Sequence, residues 1–350
     1  MLAKARDDSA YLRMALSVGR PSPRRHHRLR LGEQKISRIL ITGGNGFIGS
    51  HLAEMLQAEG ESISLLDLQF NANTRFLNCE KIRGDIRDYQ TVRKAVSGKD
   101  AIFHLAAVSR VAWGQQDPFN CWLTNQVGTI NVLEACKKAE SRPVLLEASS
   151  REVYGEPLYL PVNEGHPKRP KSVYGLTKLC AERACLSYSN ASGLDRPVNH
   201  VIMRFSNVYG SERDLSERVI PKFMNLALRG EDITLYGGEQ ILDFTFIDDT
   251  LSGIVKLASA SLEGDGSILG EDFHFATGRG VSVSELAKMI VDLVGSRSKI
   301  LHGLANSFEV RKFVGDLTKS HKLLQYEPTV SLEQGLRILR DRTVPAIIAR

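Results

Sequence analysis

Tyr174-Gly175-Leu176-Thr177-Lys178 sets a phenol and an ammonium four residues apart. On a helix the two share one face. A lysine charge beside a tyrosine favours the phenolate, which takes a proton from a hydroxyl near neutral pH. Standing alone, such a pair is common decoration of a helix surface. Here Ser149-Ser150-Arg151-Glu152-Val153-Tyr154-Gly155 follows a strongly apolar stretch, and Ser150 lies 24 residues before Tyr174. Where both segments end at the C-terminal edge of one parallel sheet, the serine hydroxyl can hold a reacting oxygen against the tyrosine.

A second segment is suited to a phosphate. Thr42-Gly43-Gly44-Asn45-Gly46-Phe47-Ile48-Gly49 spaces glycines 43, 46 and 49 as G-x-x-G-x-x-G between an apolar run and a helical pattern. Glycine lets backbone approach a pyrophosphate, and the helix N-terminus behind it offers free N–H groups. Asp67 ends the next apolar run, 18 residues after Gly49. A carboxylate there accepts from ribose hydroxyls and repels a 2′-phosphate, so NAD is favoured over NADP. Asp85-Ile86 is placed to flank an adenine, although a plain turn explains Gly84-Asp85 almost as well.

The elements that must position these groups alternate. Strands are expected at Arg38 to Ile41, Ser62 to Asp67, Lys81 to Asp85, Ala101 to Leu105, Pro143 to Ala148 and His200 to Arg204. Helices are expected at His51 to Glu59, Tyr89 to Val96, Thr124 to Ala139 and Val173 to Ser189. This rhythm predicts an α/β fold, a doubly wound parallel sheet of Rossmann type over residues 35–206. Beyond about Asn207 the rhythm loosens. Residues 207–350 are expected to form mainly a smaller substrate-binding lobe, with some segments returning to the sheet.

Composition excludes several classes. Residues 1–34 carry eight Lys/Arg and three acids, a net +5 of the chain's +6. The basic character belongs to a tail, expected to be a poorly ordered extension, and not to a folded nucleic-acid face. No apolar run approaches the ~20 residues of a membrane helix. Five cysteines, an odd number with no C-x-x-C pair, argue against a disulfide framework or a zinc site. A cytoplasmic location is the resulting expectation. Asp248-Asp249 lacks the further ligands a metal needs, so none is expected. His104 and the tryptophans 113 and 122 are read as packing residues.

Together these segments resemble the extended short-chain dehydrogenase/reductase superfamily, in its NAD-dependent epimerase/dehydratase branch, from about Ile36 to Leu339. The marks are Thr42 to Gly49, Asp67, His104-Leu105-Ala106-Ala107, Asn125 with Gly128-Thr129, Ser150 with Val153-Tyr154-Gly155, Tyr174 to Lys178, and Arg204 to Gly210. The resemblance implies a Rossmann domain and a C-terminal lobe that takes a nucleotide-diphosphate sugar, a UDP-sugar first, in a homodimer. Gly43, Gly46, Phe47, Ile48, Gly49, Asp67, Asp85, Ile86, Leu105, Ala106, Ala107 and Asn125 would meet or support NAD. Ser150, Tyr174 and Lys178 would form the catalytic set, with Lys178 also on the nicotinamide ribose. Asn207 would contact substrate.

The implied first step is oxidation at the sugar C4. A 4-epimerase then returns the hydride to the opposite face, whereas a 4,6-dehydratase or uronate decarboxylase expels water or carbon dioxide. Glu152 sits where the latter enzymes carry a Glu, and it is a candidate base at C5. Arg151 stands where an acid or serine is expected and would attract an anionic substrate. In Gln240-Ile241-Leu242-Asp243, Leu242 occupies the place of an Arg that clamps the diphosphate in many relatives. Arg311, Arg213 or Arg218 would have to compensate. The alternative of another class is a non-catalytic NAD-binding scaffold, against which the complete Ser150–Tyr174–Lys178 set argues.

Overall fold

The structure, a computed structural model, describes residues 37–190, 195–303 and 310–348; the extension expected at 1–34 lies outside them. The first half runs β1 (Arg38–Thr42), α1 (Phe47–Ala58), β2 (Ser62–Asp67), β3 (Glu80–Arg83), α2 (Tyr89–Val96), β4 (Ala101–His104), α3 (Val111–Gln116) and α4 (Pro118–Trp122). A π-helical turn, Leu123–Val127, leads into α5 (Gly128–Lys138), followed by β5 (Val144–Ser150), α6 (Val173–Asn190) and β6 (His200–Phe205).

Seven parallel strands form the main sheet in the order β10-β6-β5-β4-β1-β2-β3, where β10 is Asp272–Phe275. Strand order reverses at β1, so the crevice for a ligand opens beyond the C-terminal ends of β1 and β4. Both faces are covered. Ile39, Ile41, Leu65, Phe103 and Leu146 pack on one side with α1 and α8 (Ile247–Leu262). Leu40, Leu66, Ile102 and Leu145 pack on the other with α2, α5 and α6. Strands buried on both faces read as continuous apolar runs, which is why β1 and β2 were visible in sequence.

The rest of the chain supplies β7 (Asn207–Tyr209), α7 (Val219–Arg229), β8 (Ile233–Tyr236), β9 (Ile241–Phe246), β11 (Gly280–Ser282), α9 (Val283–Val294), β12 (Ile300–Gly303), α10 (Thr318–Leu324) and α11 (Leu332–Ile348). Two small sheets, β11-β9-β7 and β12-β8, cap the crevice. β10 returns to the main sheet as its outer strand on β6.

Two local expectations change. The first helix begins at Phe47 rather than His51, because Gly46 is extended (φ −72°, ψ 176°) and serves as its N-cap. The helix expected over Thr124 to Ala139 is broken by the π turn. That wider turn carries Asn125, and π turns concentrate at functional sites. No helix of the described residues is long and apolar enough to cross a membrane.

Candidate active site

A cavity of about 810 Å³ opens at the C-terminal edge of the main sheet and extends under the two small sheets. Its floor is the glycine loop. Gly43 has φ +69°, and a Cβ there would stand 2.7 Å from the Ala106 nitrogen. A Cβ on Gly49 would stand 2.3 Å from the Gly43 carbonyl oxygen. Only glycine fits either position. The first turn of α1 has no acidic side chain and its N-cap makes no side-chain bond, so its N–H groups face the cavity as an anion site.

Asp67 lines the same cavity and accepts a hydrogen bond from Asn45 N at 3.0 Å. Burial pushes its carboxyl upward, opposed by backbone N–H groups of Asn45, Gln69 and Leu68. Asp85 and Ile86 also line it. Asp85 is bound by the Arg87 guanidinium, which holds its carboxyl below the usual carboxylate range.

Behind the loop lies a buried polar layer between sheet and helices. His104 lies 2.7 Å from Thr42 Oγ1 through Nδ1 and 3.1 Å from Thr129 Oγ1 through Nε2. Thr129 donates its proton to Asn125 O, so Nε2 carries the hydrogen and Nδ1 accepts from Thr42. Complete burial, with Lys178 nearby, pushes His104 down to about 3, so it stays neutral. This is a packing histidine, as the sequence reading expected. Asn125 is fully buried, donates to Val108 O and Thr177 Oγ1, and accepts from Val108 N. Its amide thus ties the loop after β4 to the helix that carries Tyr174 and Lys178, and it does not line the cavity.

Ser150, Tyr174 and Lys178 come together on the cavity wall. Ser150 ends β5 and its Oγ accepts from Glu152 N at 3.2 Å. Tyr174 and Lys178 occupy one face of α6. Lys178 Nζ donates to Ala148 O at 2.7 Å and lies 3.6 Å from Glu147 Oε1. A buried ion network keeps α6 in place. Arg204 Nε and Nη2 donate to the two Glu182 oxygens at 2.7 and 2.8 Å, and Nη1 donates to Tyr154 OH at 2.8 Å. Ser149 Oγ donates to Glu182 at 2.6 Å.

Arg151 and Glu152 pair at 3.0 Å, both largely buried, and Arg151 Nη2 donates to Asn207 Oδ1 at 3.4 Å. All three line the cavity. At the far end Leu242 lines it too, with Arg110, Arg218 and Lys222 as the nearby cations. Arg311 is exposed and is not among the residues that line the cavity; its N–H donates to Glu156 and its carbonyl accepts from Ile241. Arg213 is taken by Glu54 at 2.7 Å. Of Arg311, Arg213 and Arg218, only Arg218 lines the cavity, where it pairs with Asp214 at 3.4 Å. Among the described residues, no group of three His, Cys, Asp or Glu side chains is placed to hold a metal ion.

The sequence reading missed Glu147, Arg110, Asp214 and Lys222. Asp214 lines the cavity, and burial raises its carboxyl to about 6. A glutamate inside the run Val144-Leu145-Leu146-Glu147-Ala148 was the available signal for the first. The other three sit on two loops and a helix whose approach to the cavity depends on the tertiary fold.

The fold and site define a dinucleotide-dependent enzyme with a tyrosine–lysine pair. Residues 39–269 match the NAD dependent epimerase/dehydratase family, to which the chain belongs. It is 33% identical over 317 residues to UDP-glucuronic acid decarboxylase 1 of Danio rerio, covering 87% of this chain and 72% of that one. It is 32% identical over 306 residues to a putative UDP-glucose 4-epimerase of Methanocaldococcus jannaschii, covering 85% and 96%. Among solved structures it resembles MoeE5 in complex with UDP-glucose and NAD, at 30% identity and a TM-score of 0.80, covering 89% and 99%. The chain is accordingly an NAD-dependent enzyme of nucleotide-sugar chemistry. The glycine loop, in which no Cβ fits at Gly43 or Gly49, and Asp67 on the cavity wall suit that cofactor.

Proposed function

We propose that the chain is a UDP-sugar 4-epimerase acting through a transient 4-keto sugar. The observation that carries this reading is the Arg151–Glu152 ion pair at 3.0 Å. A 4,6-dehydratase needs a base at C5, and the carboxylate best placed to serve is engaged by a guanidinium. Tyr174 remains the acid–base group at the wall.

In this reading Gly43, Gly46, Gly49 and Asp67 hold NAD, which supplies the hydride acceptor at C4 when bound. Ser150 Oγ orients the C4 oxygen, and Tyr174 takes its proton and later returns it. Lys178 favours the ionised phenol and holds the ribose. Leu242 leaves the diphosphate to Arg218, Lys222 and Arg110.

A uronate decarboxylase is the second reading. Arg151 Nη1 is buried and has no hydrogen-bond partner among the described residues, and a guanidinium suits a carboxylate. A 4-keto uronate is a β-keto acid, so loss of carbon dioxide needs no added base. Incubation with UDP-hexoses and UDP-uronates, read by mass spectrometry and proton NMR, separates the two. An isomer of unchanged mass supports the epimerase; release of carbon dioxide from a UDP-uronate overturns it. Glu152→Gln is expected to change epimerase turnover by less than about threefold, whereas a general base contributes roughly 10²–10⁴-fold.

A further inference from the structure

Glu147 stands on β5 beside Lys178 of the tyrosine–lysine pair. Its side chain is fully buried, and neither carboxyl oxygen has a hydrogen-bond partner among the described residues. Its nearest opposite charge is Lys178 Nζ at 3.6 Å. A buried carboxyl without hydrogen bonds is costly and calls for a reason.

The other groups on this face do not supply one. His104 on β4 is neutral, with both ring nitrogens taken by threonines. Glu182 on α6 is committed to Arg204 of β6 and to Ser149. Burial pushes the Cys136 thiol of α5 up to about 12 and raises that of Cys185 on α6. Burial pushes His200 on β6 down. Among the described residues, Lys178 is the cation paired with Glu147.

We propose that Glu147 is a positioning residue for the reaction: from inside the sheet it holds the Lys178 ammonium against β5 and, through its own charge, sets how strongly Lys178 draws the proton of Tyr174. The proposal rests on Tyr174 and Lys178 being the catalytic pair. An ionised Glu147 offsets the lysine field at the phenol, and a protonated one releases it. Burial raises the Glu147 carboxyl to about 7, against the pull of Lys178, so the two states exchange near neutral pH.

The test is Glu147→Gln, which keeps shape and removes charge. In the pH profile of turnover on the UDP-sugar that the product assay identifies, the wild-type acid limb should lie above about pH 7, where Glu147 is ionised, and that of the variant about one pH unit lower. The KM should change less than about twofold, and Glu147→Asp should restore the wild-type limb. A profile that superimposes on wild type, or a loss of thermal stability alone, overturns the proposal. A second measurement needs neither substrate nor that variant. Difference infrared spectra of the wild-type enzyme should show a buried protonated carboxyl appearing as pH falls through about 7. In Lys178→Met it should appear at higher pH, because the charge favouring ionisation is gone. A carboxyl that stays ionised into the ordinary carboxylate range overturns the proposal. Failure of the substrate panel, with the infrared behaviour intact, would count against the epimerase reading instead.

Discussion

Gly49→Ala puts the cofactor cradle to the test through a single methyl group. The added Cβ would lie 2.3 Å from the Gly43 carbonyl oxygen and 3.0 Å from the Gly44 Cα. An ordinary carbon–oxygen contact is roughly 3.3 Å, so the loop must open by about 1 Å. That carbonyl accepts the Gly46 N–H at 3.0 Å, so its retreat also strains the turn that shapes the anion site. Overpacking of this kind costs about 1–3 kcal/mol. For a chain of this size that lowers Tm by roughly 1.5–4 °C. Misplaced N–H groups at the pyrophosphate should weaken NAD by tenfold or more, equal to about 1.4 kcal/mol. Calorimetric NAD titration and thermal unfolding with and without NAD measure both effects. Gly266→Ala is the control, since its Cβ would meet nothing within 4 Å. The reasoning is refuted if Gly49→Ala binds NAD within about twofold of wild type and melts at the same temperature as the control.

Arg204→Met should destabilise the protein by about 3–5 kcal/mol in urea unfolding, because it leaves the buried Glu182 carboxylate unpaired. A loss below about 1 kcal/mol would show that the network is dispensable. Burial also sets a pH dependence. His104 is held at about 3 in the fold, below its unfolded value of 6.5, so the unfolded chain takes up a proton that the folded one refuses. Its contribution is present above pH 6.5 and is lost as pH falls toward about 3. Between pH 6 and 4 this single group removes about 2.5 kcal/mol. His104→Gln should lose that much less stability than wild type over the same interval in denaturant titrations. The raised carboxyls of Glu147 and Asp214 act in the opposite direction, but they are common to both proteins and cancel in the difference. Equal slopes would sink the assignment.

Much of the architecture was legible because the main sheet is buried on both faces. Ser62–Asp67 and Tyr89–Val96 begin and end where periodicity put them. The glycine loop, Asp67, Ser150, Tyr174 and Lys178 were legible because each owes its place to local sequence around a strand end or one helix face. Harder to read were features decided by distant chain. The π turn exists where Asn125 reaches Val108 and Thr177. Arg311 has the right charge, but it stands exposed outside the cavity lining. Arg110 comes to the cavity from a segment far in sequence from the helix start that brings Arg218 and Lys222. Glu147 was visible as an acid in an apolar strand, yet its significance lies in the distance to Lys178, which no spacing rule encodes.

The most direct test of the central claim uses a UDP-sugar carrying deuterium at C4. A 4-epimerase that removes the hydride and returns it to the opposite face should give a C4-inverted product of unchanged mass, with deuterium still at C4. Solvent hydrogen at C4, or a product lighter by water or carbon dioxide, would contradict the account.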